Sequence, residues 1–152
     1  MKHQFFMGFL LTCICSSFIT LAQEPLSKDK RVEKTLLFAA LPSKMTCNRS
    51  ELEKILHYRK SDQISIKLSE NLFLSGEVVE KVEASPGVQN MNIILSNFGN
   101  ALLHISIISQ PNKTNKIVGR IIHPKNSDAL VIEEENGKYY ITKHKMEFFM
   151  VE

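Results

Sequence analysis

Cysteine is scarce in this chain, with three in 152 residues. Cys13 and Cys15 lie in an N-terminal segment that reads as removable, which leaves Cys47 alone. A lone cysteine excludes an internal disulfide framework, so the mature fold must be held by its core. Cys47 is then a free thiol: reactive, bridging between molecules or, as is commoner for such a residue, buried and inert. Charge of one sign is also lacking. Lys2 is the only charged residue among the first 22, so the remainder carries 18 basic against 16 acidic side chains. That balance gives no basic surface for nucleic acid or an anionic membrane. Long apolar runs are missing beyond the N-terminus; Leu36 to Leu41 is the longest. Stable membrane insertion is therefore not expected once the leader is removed.

Enzyme motifs are missing as well. The chain contains no G-x-S-x-G elbow, H-E-x-x-H helix, P-loop, G-x-G-x-x-G or C-x-x-C. His57, His104, His123 and His144 make no pair at the spacing of a local metal site on a strand or a helix. Glu133, Glu134 and Glu135 are consecutive; on a strand they alternate between faces and cannot converge on a cation. No cofactor and no metal are expected, and a Cys47–His57 thiol–imidazole pair has only the presence of both residues behind it. Asn48-Arg49-Ser50 and Asn112-Lys113-Thr114 match the glycosylation sequon, which matters only in a eukaryotic secretory pathway.

What is present begins with a basic start, Met1-Lys2-His3, and an apolar core from Phe5 to Ile14 prolonged by Phe18-Ile19. Thr20-Leu21-Ala22 follows with small residues where signal peptidase needs them. Residues 1–22 read as a secretory signal cleaved after Ala22, so the product is expected in a periplasm or outside the cell. Residues 23–45 read as a polar leader and N-terminal segment, in which Val32 to Leu41 suits a short helix or a strand, ended by Pro42. Residues 46–152 read as a single, mostly β domain.

Ser50-Glu51-Leu52-Glu53 has the form of a capping box and predicts a helix from Glu51 to about Tyr58, with Leu52, Ile55 and Leu56 on one face. From Gln63 the period changes to two. Ile64, Ile66 and Leu68 alternate with polar residues, and Leu72, Leu74, Val78 and Val82 share a face on which Gly76 suggests a bulge or bend. Pro86-Gly87 suits a type II turn. Met91, Ile93 and Leu95 alternate next, then Leu103, Ile105 and Ile107, with a turn at Asn97 to Asn100 between them. Ile117 to Ile122 is apolar on both faces except Arg120, as in a central strand. Asn136-Gly137 predicts a type I′ hairpin with Glu135 facing Lys138 and Ile132 facing Ile141. A last run, Met146 to Val151, contains Phe148-Phe149.

The pattern is that of a mainly β chain: a small antiparallel sandwich or barrel of about seven or eight strands with one short N-terminal helix. Arg120 stands out because a guanidinium in an apolar strand needs a partner. With 117–122 paired to 130–134, it lies opposite Val131 and diagonal to Glu133. A structural ion pair with Glu133 is the plainer expectation; an anchor for an anionic ligand is the functional one.

The runs Leu37-Phe38-Ala39-Ala40-Leu41-Pro42, Ser50 to Leu56, Gly119-Arg120-Ile121-Ile122 and Asp128-Ala129-Leu130 resemble uncharacterised exported bacterial β domains. The β part also bears a fainter likeness to pro-segments of secreted zinc peptidases. Neither resemblance brings a catalytic motif. Together with the residues above they imply a non-catalytic exported module that binds a protein partner or assembles in the envelope. The alternatives are an inhibitor or detached pro-segment that binds a secreted peptidase, through a loop at Pro86-Gly87 or Pro111 to Asn115, and a carrier with a small apolar ligand in a hollow interior.

Overall fold

A computed structural model describes residues 34–111 and 114–146. Residues 1–22, read as a signal, the start of the leader, Asn112-Lys113 of the second sequon and Phe148-Phe149 lie outside the described residues. Lys34 to Glu152 forms one unit. Its strands are β1 (Lys44–Thr46), β2 (Gln63–Ser69), β3 (Leu72–Ser85), β4 (Val88–Leu95), β5 (Ala101–Ile108), β6 (Lys116–Ile122), β7 (Asp128–Glu135) and β8 (Lys138–Lys145). They form one antiparallel sheet in the order β1-β8-β7-β6-β5-β4-β3-β2, curled into a half-barrel. The mainly β class and the strand count agree with the sequence pattern; the architecture is one curled sheet, not two stacked ones.

The period-two residues supply the concave face. Ile64, Ile66, Leu74, Met91, Ile93, Leu103, Ile105, Leu130 and Ile141 are all essentially inaccessible, and each such side chain contributes about 1.5–3 kcal/mol by leaving water. Gly76 belongs to this face and pairs with Ile64 and Leu95. Of the two expectations for it, a bulge or a bend, the bulge does not occur: the register runs through Gly76 without a shift. A Cβ there would stand 2.1 Å from the Ile94 carbonyl oxygen, so glycine permits the close strand approach that the curl demands.

The bulges lie elsewhere, between Lys67 and Ser69, Val78 and Glu80, and Glu83 and Ser85. The second corrects the placement of Val82. One extra residue reverses the alternation beyond Val78, so Val82 is exposed while Lys81 turns to the other face. Its ammonium donates to the carbonyls of Leu56 and Tyr58 at 2.8 and 2.9 Å, capping the end of the helical segment.

That segment is α1 (Arg49–Lys54) followed by a 3₁₀ turn, Ile55–His57. Its cap is Asn48, one residue pair earlier than the sequence suggested: Asn48 Oδ1 accepts from the N–H groups of Ser50 and Glu51 at 3.1 and 3.4 Å. Glu53 does not reach back to Ser50; it pairs with Arg49 one turn away at 2.8 Å. Leu52 and Ile55 are buried in the sheet's concavity as their spacing requires.

The segment before β1 is neither helix nor strand. Thr35 makes an isolated bridge to Asn126, and the chain then turns so that Phe38 enters the core against Phe98, ring centroids 5.5 Å apart. Asp128, almost fully buried, accepts from the N–H groups of Leu37 and Phe38 at 2.7 and 2.8 Å. Residues 34–45 are thus built into the fold. The Asn136-Gly137 hairpin has the anticipated form: both residues have positive φ, and Glu135 faces Lys138 while Ile132 faces Ile141.

Candidate functional site

Two places on the described residues gather chemistry. The first follows from strand alternation at the edge of β1, which among the described residues pairs with β8 alone. Lys143 donates its N–H to Ser43 O at 2.8 Å, and Cys47 donates its N–H to Tyr139 O at 2.9 Å. Residues 43, 45 and 47 therefore turn their main chain toward β8. The N–H and C=O of Lys44 and Thr46 point away from the sheet. They face a cleft of about 620 Å³ between β1 and the β2–β3 turn, lined by Pro42, Lys44, Thr46, Lys67, Glu70 and Asn71 among others. One end is closed by Asn48, whose N–H donates to Leu68 O at 2.7 Å. Across the floor Ser69 Oγ donates to Met45 Sδ at 3.6 Å. Lys44 is held by Glu135 at 2.6 Å and lies over the Tyr140 ring.

Cys47 sits at the base of this cleft with 4 % of its surface exposed, and burial pushes its thiol up to about 12. The thiolate needed for nucleophilic or metal chemistry is therefore not formed near neutral pH. Native protein is expected to react with a thiol reagent far more slowly than denatured protein, read by absorbance at pH 8. A pH consequence follows. The unfolded thiol ionises near 9 and the folded one near 12, so between these values the folded state binds more protons. Stability supplied by this group is complete below about pH 9 and falls as pH rises through that window. Urea midpoints measured from pH 8 to 11 are expected to fall less steeply in Cys47→Ala.

The second place is the convex face. Register aligns Glu80, Asn92, His104, Arg120 and Val131 in one row across β3 to β7. Asn92 donates its amide to Glu80, and its Oδ1 meets His104 Nδ1 at 2.7 Å. His104 Nε2 lies 3.3 Å from Ser106 Oγ, which donates to Asn90 Oδ1 at 2.8 Å. Serine, imidazole and amide follow one another as in a nucleophilic triad, but the Ser106 proton is committed to Asn90 and not to the imidazole. Burial, then the Arg120 charge, holds His104 below the usual imidazole range, with Glu80 acting in the opposite direction.

Arg120 is opposite Val131 as the sequence implied, and it is exposed, not half-buried. The ion pair with Glu133 does not form among the described residues: the ion pairs there are Lys44–Glu135, Arg49–Glu53 and Lys54–Glu51. Glu133 instead accepts from the Thr142 hydroxyl at 3.1 Å. Arg120 lies on the outer face of the sheet and is exposed, so the guanidinium stays in water and needs no carboxylate. The β1 cleft was not legible beforehand, because a three-residue strand leaves almost no periodic signal. Comparison of the chain with protein-family models, curated proteins and solved structures finds no match, and what it does has to be read from these two places.

Proposed function

We propose that this chain is an exported, non-catalytic protein-binding module that takes up an extended segment of a partner alongside β1. The observation that carries this reading is the pair of outward-facing main-chain groups, Lys44 and Thr46, on the wall of the cleft. An unpaired strand edge supplies the hydrogen bonds that an added strand needs, and flanking side chains then select its sequence. Export rests on the signal-like residues 1–22. The carrier alternative required a hollow interior, whereas the concave face is filled by close-packed Ile, Leu and Met side chains. The peptidase-inhibitor alternative places the contact elsewhere, on a loop at Pro86-Gly87 or Pro111 to Asn115, and not on this edge.

A photoreactive amino acid at Asn71, in the full chain expressed by its own host, tests the reading. One defined cross-linked partner is expected, identified by mass spectrometry. Thr46→Pro removes an N–H facing the cleft while leaving the β8 ladder intact, because Thr46 and Tyr140 form a pair without mutual hydrogen bonds. Cross-linking is expected to drop at least about tenfold, the equivalent of one well-made main-chain hydrogen bond. An undiminished cross-link in folded Thr46→Pro protein would show that the partner does not add to this edge.

A further inference from the structure

The convex face carries a second, independent feature. β5 and β6 set His104 directly across from Arg120, and strand alternation puts both on the side away from the core. The imidazole is anchored at Nδ1 by Asn92 Oδ1, an oxygen left free because the Asn92 amide nitrogen is given to Glu80. At Nε2 the neighbour is Ser106 Oγ, whose own proton is used on Asn90. The hydroxyl oxygen thus offers an acceptor to an Nε2 proton, so both ring nitrogens have acceptors ready for the protonated form. Arg120, one strand away, opposes that form by its charge, and no hydrogen bond or ion pair engages its guanidinium among the described residues. The nearby carboxylates accept from neutral groups, Glu80 from Asn92 and Glu133 from Thr142, and neither is ion-paired with Arg120 among the described residues. Half-buried Leu102 and Ile122 pair beside it in the next outward-facing row.

We propose that Arg120 binds an oxyanion, a carboxylate or a phosphate-type group, and that this binding is coupled through charge to protonation of His104, whose two ring nitrogens stay on Asn92 and Ser106. The guanidinium supplies two parallel donors in the geometry that such oxygens accept. An anion held there cancels the repulsion that Arg120 exerts on the imidazolium, and His104 takes up a proton. Linkage then requires the converse: protonation of His104 tightens anion binding by the same factor. The groups whose charge acts on this imidazole are Arg120 from β6 and Glu80 from β3; Glu133 on β7 lies diagonal to Arg120, one strand further away. β4 contributes only the amides of Asn90 and Asn92.

The test is an NMR titration of the histidine rings with sodium sulfate, which keeps its charge across the range, and separately with sodium acetate, each against chloride at equal ionic strength. The His104 pKa is expected to rise by about one pH unit, equivalent to about tenfold tighter anion binding by the protonated form. His57 and His123 serve as internal references. Arg120→Gln, an exposed substitution whose fold is checked by its amide spectrum, is expected to raise the His104 pKa in chloride and to abolish the response to either anion. A larger effect of sulfate identifies a phosphate-type ligand, and a larger effect of acetate a carboxylate. Equal shifts at all three histidines, no shift at His104, or a response that persists in Arg120→Gln would each overturn the proposal.

Discussion

Gly76→Ala is expected to lower stability by at least about 3 kcal/mol, at the upper end of what overpacking a single methyl costs. The added Cβ would lie 2.1 Å from the Ile94 carbonyl oxygen, 2.9 Å from its carbon and 3.0 Å from Leu95 Cα. All three are main-chain atoms of β4, the strand with which β3 makes its longest ladder. No side chain can swing aside to relieve the contact. The strands have to part at Gly76, and the curl of the sheet opens with them. Urea denaturation should show the loss as a lower midpoint with an unchanged slope. Gly99→Ala is the control: its φ is +61° but nothing lies within 4 Å of a Cβ there, so it should cost only about 1 kcal/mol from backbone conformation. Equal effects at the two positions would show that β3 and β4 part freely and that close approach is not what Gly76 provides.

Asp128→Ala should cost about 3 kcal/mol by a different route. The carboxylate, 2 % exposed, accepts from Leu37 and Phe38, and its loss leaves two N–H groups without partners, one of them fully buried. From the other side, the Lys143 ammonium donates to the carbonyls of Phe38, Ala39 and Leu41, closest at 2.7 Å to Leu41. The turn that inserts Phe38 is therefore held by an anion on its N–H groups and a cation on its carbonyls. Hydrogen exchange is expected to accelerate at Leu37 and Phe38 in Asp128→Ala before it changes in β4 or β5. Asp128→Asn keeps one acceptor oxygen and should lose about half as much. If exchange rose uniformly through the sheet instead, Asp128 would be contributing to the core as a whole and not to this anchor.

The strands were legible because hydrophobic alternation is a local property. Ile64-Ser65-Ile66-Lys67-Leu68 can satisfy its apolar side chains only as a strand with one face buried, and it does so. The Asn136-Gly137 hairpin was legible for the same reason, since turn residues, charge pair and cross-strand contacts all lie within a few positions. Arg120 was placed in correct register but its surroundings were misjudged. An apolar strand reads as buried on both faces, and the sequence does not say that Arg120 is exposed on the convex side. The cap of α1 was shifted because Asn48, Ser50 and Glu53 are all competent capping groups, and the choice depends on where β1 delivers the chain.

By itself the sequence determined the strand pattern, the turns and the lack of a local catalytic or metal-binding motif. Each of these depends on residues that are neighbours along the chain. Tertiary structure alone decided the curl at Gly76, the reversal of Val82 by a bulge, the anchoring of Phe38 by Asp128 from 90 residues away, and the cleft at β1. These depend on close approach and register between distant segments, which strand periodicity does not encode.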